Sequence, residues 1–337
     1  MSILNWRSLA ASLFALSVGL GCGHTKVISF EATGQPLTVR RPALYPETIE
    51  YNSKDHKFLL SSFREGAIYE VDDAGSVTVL VDDPRLCSVL GIAVDAARNR
   101  LWAVNSDLGS SLKPSAAGPK KLAGVGIYDL TSGKPIDYVD LTPVASGPHL
   151  MNGIALDSAG NAYVTDSFSP IIYKVDVHFA PSVFLRDERF AGEGINLNGL
   201  IVHPDGYLLV IKKSDGTLFK VPLDQPSHFS QVSIPEHLTG GDGVTLVGKK
   251  DLVVIANRTP GISSNSAFSL SSDDDWKTAK VSAIQQLGDV YPTTAVLRDG
   301  TLYVVHSKLN ELIAFPPEKK AQLQVQATIV AIAHVSP

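Results

Sequence analysis

His149–Asp176 reads HLMNGIALDSAGNAYVTDSFSPIIYKVD, three short strands joined by tight turns. The first strand, Gly153 to Asp157, ends in Ser-Ala-Gly. The second, Asn161 to Thr165, is apolar at alternate positions, and the third covers Ile171 to Val175. Runs of about five residues rich in Val, Ile and Tyr, bounded by Gly, Asp, Ser and Asn, are the sequence form of strands in hairpins. The same phrase returns along the chain, and a returning phrase is the mark of a repeat architecture.

Alignment on the opening strand gives Tyr45-Pro46-Glu47-Thr48-Ile49, Val89-Leu90-Gly91-Ile92-Ala93, Met151-Asn152-Gly153-Ile154-Ala155, Leu197-Asn198-Gly199-Leu200-Ile201, Gly241-Asp242-Gly243-Val244-Thr245 and Pro292-Thr293-Thr294-Ala295-Val296. A second strand follows each, as in KFLLS at Lys57, RLWAV at Arg100, YLLVI at Tyr207, DLVVI at Asp251 and TLYVV at Thr301. Third strands are expected at Gly66–Val71, Gly126–Leu130, Gly216–Val221 and Leu312–Pro316, and a fourth at Ser76–Val81. Units of roughly 43 to 62 residues with up to four strands are propeller blades. The expectation is an all-β, six-bladed β-propeller with four-stranded blades around a central channel, spanning residues 45–337. Gln35–Arg41 is a candidate strand to complete the last blade and latch the ring. No segment after the N-terminal one sustains a helical period for long.

Composition narrows the function classes. Of 337 residues, 44% are hydrophobic and 19% charged, and the net charge is -5. A core is easily filled, and an acidic chain without a Lys/Arg block is a poor partner for nucleic acid. The two cysteines, Cys22 and Cys87, make no disulfide framework. Arg7, the apolar run Leu9–Leu20 and Gly21-Cys22-Gly23 read as an export signal over residues 1–22. Cys22 resembles the lipidated residue of a bacterial lipoprotein box, although Gly19 stands where Leu is usual. The expected location is therefore outside the cytoplasm: periplasmic, lipid-anchored or extracellular. Residues 23–44 form a connector, and the expected state is a monomer.

In an up-and-down blade the first strand lines the channel, and its entry opens on the same face as the loop between the second and third strands. Glu47, Leu90, Asn152, Asn198, Asp242 and Thr293 should therefore ring one mouth. Two carboxylates and two amides among them suit a hard cation such as Ca2+. The alternative is that Asn-Gly and Asp-Gly merely form turns. The shared slot, which Glu47 fills without a following Gly, favours the metal.

With Ser61-Ser62-Phe63, Gly66-Ala67-Ile68-Tyr69 and the Asn-Gly-Ile and Asn-Gly-Leu openings, the chain from about Tyr45 onward resembles the SMP-30/gluconolactonase-like calcium propellers, relatives of paraoxonase and diisopropyl-fluorophosphatase. The resemblance implies a catalytic Ca2+ held by Glu47, Asn152, Asn198 and Asp242. It implies a hydrolase for small lactones, esters or phosphotriesters, with Asp242 acting as base or nucleophile. Leu150, followed by Met151, stands where sugar-lactone hydrolases of that family carry a substrate-gripping Arg, and this apolar pair points to a more hydrophobic substrate. No equivalent of the paraoxonase His dyad is present.

Ser62, Asn105, Asp166, Lys212, Asn257 and His306 end the second strands on the same face. His306 is a candidate catalytic residue that orients a ligand or carries a proton, or else a packing histidine. His149 reads as a solvated loop residue. Long inserts at Ser106–Gly124 and Arg258–Ala267 are expected on the ligand face, as a partial lid or as surface loops. Three functions remain open: a calcium-dependent hydrolase, a non-catalytic ligand-binding propeller with a structural calcium, and a strictosidine synthase-like propeller without calcium.

Overall fold

The computed structural model describes residues 29–30, 35–257, 265–315 and 326–334. It is a six-bladed β-propeller. Blade 1 runs through Ile49–Asn52, Lys57–Ser61, Ile68–Val71 and Val77–Val81, each strand antiparallel to the one before it. Blades 2 to 5 repeat the pattern and open with Ser88–Asp95, Met151–Leu156, Leu197–His203 and Gly241–Gly248. Blade 6 contains Pro292–Arg298, Thr301–His306 and Thr328–His334. Its outer edge is supplied from the other end of the chain: Leu37–Thr38 and Ser29–Phe30 both pair with Thr328–His334. The expected export signal and Cys22 lie outside the described residues.

The middle strands are buried on both faces, as in Tyr207–Lys212 and Asp251–Ala256. Their alternation sorts side chains between two neighbours. In blade 4, Leu208 and Val210 pack toward blade 3 with Tyr163 and Ile172, while Leu209 and Ile211 pack toward blade 5 with Leu252 and Val254. A separate apolar core therefore fills every blade-to-blade seam. Outer strands such as Lys280–Gln286 alternate exposed and half-buried positions, as an edge facing water should.

One strand expectation fails. Leu312–Pro316 is not the third strand of blade 6; Leu309–Ala314 forms a short helix, and the third strand is Thr328–His334. Leu309 and Leu312, three residues apart, share one helical face and are buried in a cluster with Tyr45, Phe63, Leu90 and Leu150. The helix thus covers one mouth of the channel.

The insert after Ser106 is pinned across three blades. Leu112 N–H donates to Arg64 O (2.7 Å), Lys113 Nζ to Gly66 O (3.1 Å), and His149 N–H to Lys120 O (2.8 Å). Most of the other insert, residues 258–264, lies outside the described residues.

Candidate active site

The slot residues come together through a backbone device that repeats from blade to blade. The register of the first strand shifts at Val89/Ile92, Met151/Ile154, Leu197/Leu200, Gly241/Val244 and Pro292/Ala295, so a β-bulge sits at the slots of blades 2 to 6, whereas Glu47 of blade 1 lies just ahead of its strand. A bulge re-aims the side chain it carries. The glycine after the slot is not a turn residue, because Gly91, Gly153, Gly199 and Gly243 do not have positive φ. Each lies against the slot carbonyl of the next blade (Asn152, Asn198, Asp242 and Thr293 respectively), and a Cβ would collide with that oxygen. Between blades 6 and 1 the Thr294 hydroxyl bridges the seam instead, within 3.3 Å of Glu47 O and 3.0 Å of Ile49 N. Close packing around the axis, not turn formation, explains the Asn-Gly and Asp-Gly pairs.

Glu47, Asn152, Asn198, Asp242, Leu90 and Thr293 line a single small cavity of about 40 Å3 at one mouth. The four oxygen-bearing residues from blades 1, 3, 4 and 5 are all at most 6% exposed. Glu47 accepts a hydrogen bond from the Thr48 hydroxyl at 2.7 Å. Burial, reinforced by the charge of Asp242, pushes its carboxyl up to about 8. Asn152 Nδ2 donates to Ser167 Oγ (3.1 Å), whose own proton goes to Leu197 O (2.6 Å). This leaves Asn152 Oδ1 as the atom free for a ligand.

Asp242 Oδ2 accepts from Lys213 Nζ at 2.9 Å and from Asn257 Nδ2. Lys213 Nζ also donates to Asn257 Oδ1, and Asn257 Nδ2 reaches Pro292 O at 2.9 Å. Asp242 Oδ1 and Thr293 Oγ1 are buried without a protein partner. An orphaned buried acceptor typically costs about 1–3 kcal/mol, so both oxygens point to a guest.

The donor set discriminates among cations. Among the described residues no three His, Cys, Asp or Glu side chains cluster as a metal site. Any cation here rests on two carboxylates plus amide oxygens, an all-oxygen set that suits a hard ion and excludes a soft one. The orphaned Asp242 Oδ1 supports the fit. Lys213 is a competing positive charge in the same cavity.

The rest of the lining is apolar: Phe63, Leu90, Leu108, Leu150, Ile195, Tyr291, Leu309 and Ile313. Leu108 comes from the blade 2 insert and Leu309 from the short helix, so both added segments contribute to the collar. Tyr45 and Tyr291, each two residues before a slot and followed by proline, hold φ of 42° and 46°. Left-handed backbone at a bulky residue is strained by about 1–3 kcal/mol, and such strain concentrates at sites.

Several expected mouth residues lie elsewhere. Lys212 turns away from the cavity and bonds Arg189 O (3.2 Å) and Asp215 (2.8 Å); its neighbour Lys213 reaches inward. The alternation of the strand carried this signal, since Lys213 continues the Leu209–Ile211 face toward blade 5 and Asp242. His149 is not solvated. It is 1% exposed, with Nδ1 at 2.7 Å from Asp166 Oδ2 and Nε2 at 3.1 Å from Ala145 O. Ser62 and Asn105 are spent on backbone and on Tyr138. His306 pairs across the strands with Pro292 and lies outside the cavity lining. Burial pushes it down to about 4, and its Nε2 has no partner.

No protein-family model matches the chain, and neither does any curated protein sequence. Solved structures do resemble it. Mala s 1, the major allergen of Malassezia sympodialis, superposes with TM-score 0.70 at 19% identity over 90% of this chain and 96% of that one. A catalytically inactive virginiamycin B lyase from Staphylococcus aureus gives 0.56 at 11% identity, over 90% and 99%. A gluconolactonase-like protein gives 0.55 at 12%, over 92% and 94%. At such identities these likenesses establish the propeller fold that the chain shares with them.

Proposed function

We propose that this mouth is the active site of a calcium-dependent hydrolase for small, largely apolar lactones, esters or phosphotriesters, in the manner of the SMP-30/gluconolactonase-like propellers. The observation that carries the reading is the convergence of Glu47, Asn152, Asn198 and Asp242 from four blades on one cavity, with Asp242 Oδ1 unpartnered. When bound, the cation supplies Lewis-acid polarisation of the carbonyl or phosphoryl oxygen. Glu47 and Asp242 would hold it by carboxylate, Asn152 and Asn198 by amide oxygen.

The chain's own groups do the rest. Asn257 holds Asp242 Oδ2 and aims Oδ1 into the cavity, and the Asp242 carboxylate serves as base toward water or as nucleophile. Phe63, Leu150, Ile195 and Tyr291 exclude water and favour an apolar acyl or aryl group over a polyol. His306 enters as a residue positioning the Pro292–Thr293 bulge, with no contact to substrate. A gluconolactonase-like protein and a lyase stand among the structural neighbours, so the shared propeller fold is compatible with an enzyme.

One observation favours a second reading, a ligand-binding propeller without turnover: the Lys213 ammonium already neutralises Asp242. A screen of lactones and aryl esters with and without chelator, run beside a calcium titration of thermal stability, separates the two. Turnover that the chelator abolishes supports the hydrolase. Saturable stabilisation without turnover on any substrate supports the binding module.

A further inference from the structure

We propose that Lys213 is the resident counter-cation of this site, and that a divalent ion binds only by displacing its ammonium from Asp242. The inference rests on the cation reading above and adds a built-in competitor to it.

Lys213 is fixed where it stands. Its N–H donates to Asn196 O (2.9 Å), and its carbonyl accepts from Gly240 N–H (2.9 Å), so the backbone is tied both to the entry of blade 4 and to the turn before Asp242. The side chain is buried, 4% exposed, and its ammonium meets Asp242 Oδ2 and Asn257 Oδ1. An ammonium has three donors. Two are spent on these oxygens, and Lys213 lines the same cavity as Glu47, Asn152 and Asn198.

Charge balance favours exchange over co-occupancy. Glu47 and Asp242 are the carboxylates lining the cavity, and Lys213 is the cationic side chain among its lining residues. A divalent ion added beside the ammonium would leave an excess positive charge in a pocket walled by Phe63, Leu90, Leu150 and Ile195, where like charges repel strongly. With the ammonium displaced, two carboxylates balance one dication. Lysine suits the exchange, because its charge rides on a flexible four-carbon stem that can carry it toward the mouth. The polar oxygens left over, Asp242 Oδ1 and Thr293 Oγ1, are unmet by the lysine, so its occupancy satisfies the site only in part.

The test compares calcium binding by the full chain, by titration calorimetry and thermal shift, in wild type, Lys213→Met and Lys213→Gln. Removing the competitor should tighten calcium by at least about tenfold, and Lys213→Arg, which keeps the charge, should weaken it. Equal or weaker calcium affinity in both neutral variants would overturn the role of Lys213 while leaving the cation reading intact. Failure of calcium to bind any of the four proteins would overturn both. A second measurement needs no variant: amine labelling read by peptide mass spectrometry should show Lys213 modified faster with calcium than without. Labelling of Lys213 that calcium leaves unchanged would overturn displacement.

Discussion

Two buried acid–base pairs lie on the same face of the propeller, and they differ in what they leave undone. His149 and Asp166 belong to one blade. Asp166 Oδ2 meets His149, and Oδ1 accepts the Leu150, Phe168 and Ser169 N–H groups at 3.0, 3.0 and 3.2 Å. Both ring nitrogens of His149 face oxygens. That pair is closed. Lys213 and Asp242 come from different blades, and one carboxylate oxygen, Oδ1, has no partner. Closed pairs hold a fold together; a pair with an unmet oxygen facing a cavity is where a ligand belongs.

The largest expected effect breaks the closed pair. Asp166→Ala leaves an unpaired imidazole and three orphaned N–H groups, and should lower stability by about 3–5 kcal/mol. Denaturant unfolding measures it, and a loss below about 1 kcal/mol would mean the pair is not the clasp of blade 3. Next comes Asn152→Ala at the open site. Asn152 gives the fold a single side-chain hydrogen bond, to Ser167, so stability should fall by only about 1 kcal/mol. Turnover should fall by about 100-fold or more, and a variant that keeps its rate would remove Asn152 from the chemistry. Gly199→Ala sharpens the contrast from the backbone side. Its new methyl meets the Asp242 carbonyl, so it should cost about 1–3 kcal/mol and weaken calcium binding at the same time.

The smallest effect is a pH dependence. The hydrogen bond to Asp166 raises His149 above the ordinary histidine value despite its burial. A raised histidine stabilises the fold fully below about pH 6.5, its unfolded value, and that contribution is lost as pH rises through the folded value. Melting temperature should therefore decline as pH rises above about 6.5, and His149→Asn should flatten that decline. An unchanged slope would show His149 to be neutral in the fold.

Much of this was legible in the residues, for a physical reason. Blades repeat, so the slot of Glu47, Asn152, Asn198 and Asp242 could be found by counting, and all four line one cavity. Signals that do not repeat were harder to read. Among the described residues an α-helix, Leu309–Ala314, occurs in blade 6 alone, and its six residues are too short for a helical period to stand out against strands. His149 looked solvated because the loop before a strand usually is; its burial depends on Asp166, seventeen residues on. Lys213 was missed by one position. Side chains on a middle strand alternate between two seams, and only the side facing blade 5 reaches Asp242. The bulges escaped notice because an extra residue in a strand leaves the composition unchanged, and their glycines passed for turns.

A crystal structure of the full chain grown with calcium decides which cation holds the mouth. One ion is expected at the mouth, bound at roughly 2.3–2.6 Å by Glu47, Asn152, Asn198 and Asp242 Oδ1, with the Lys213 ammonium moved off Asp242. Saturating calcium with no ion among those four side chains, and Lys213 still paired with Asp242, would contradict it.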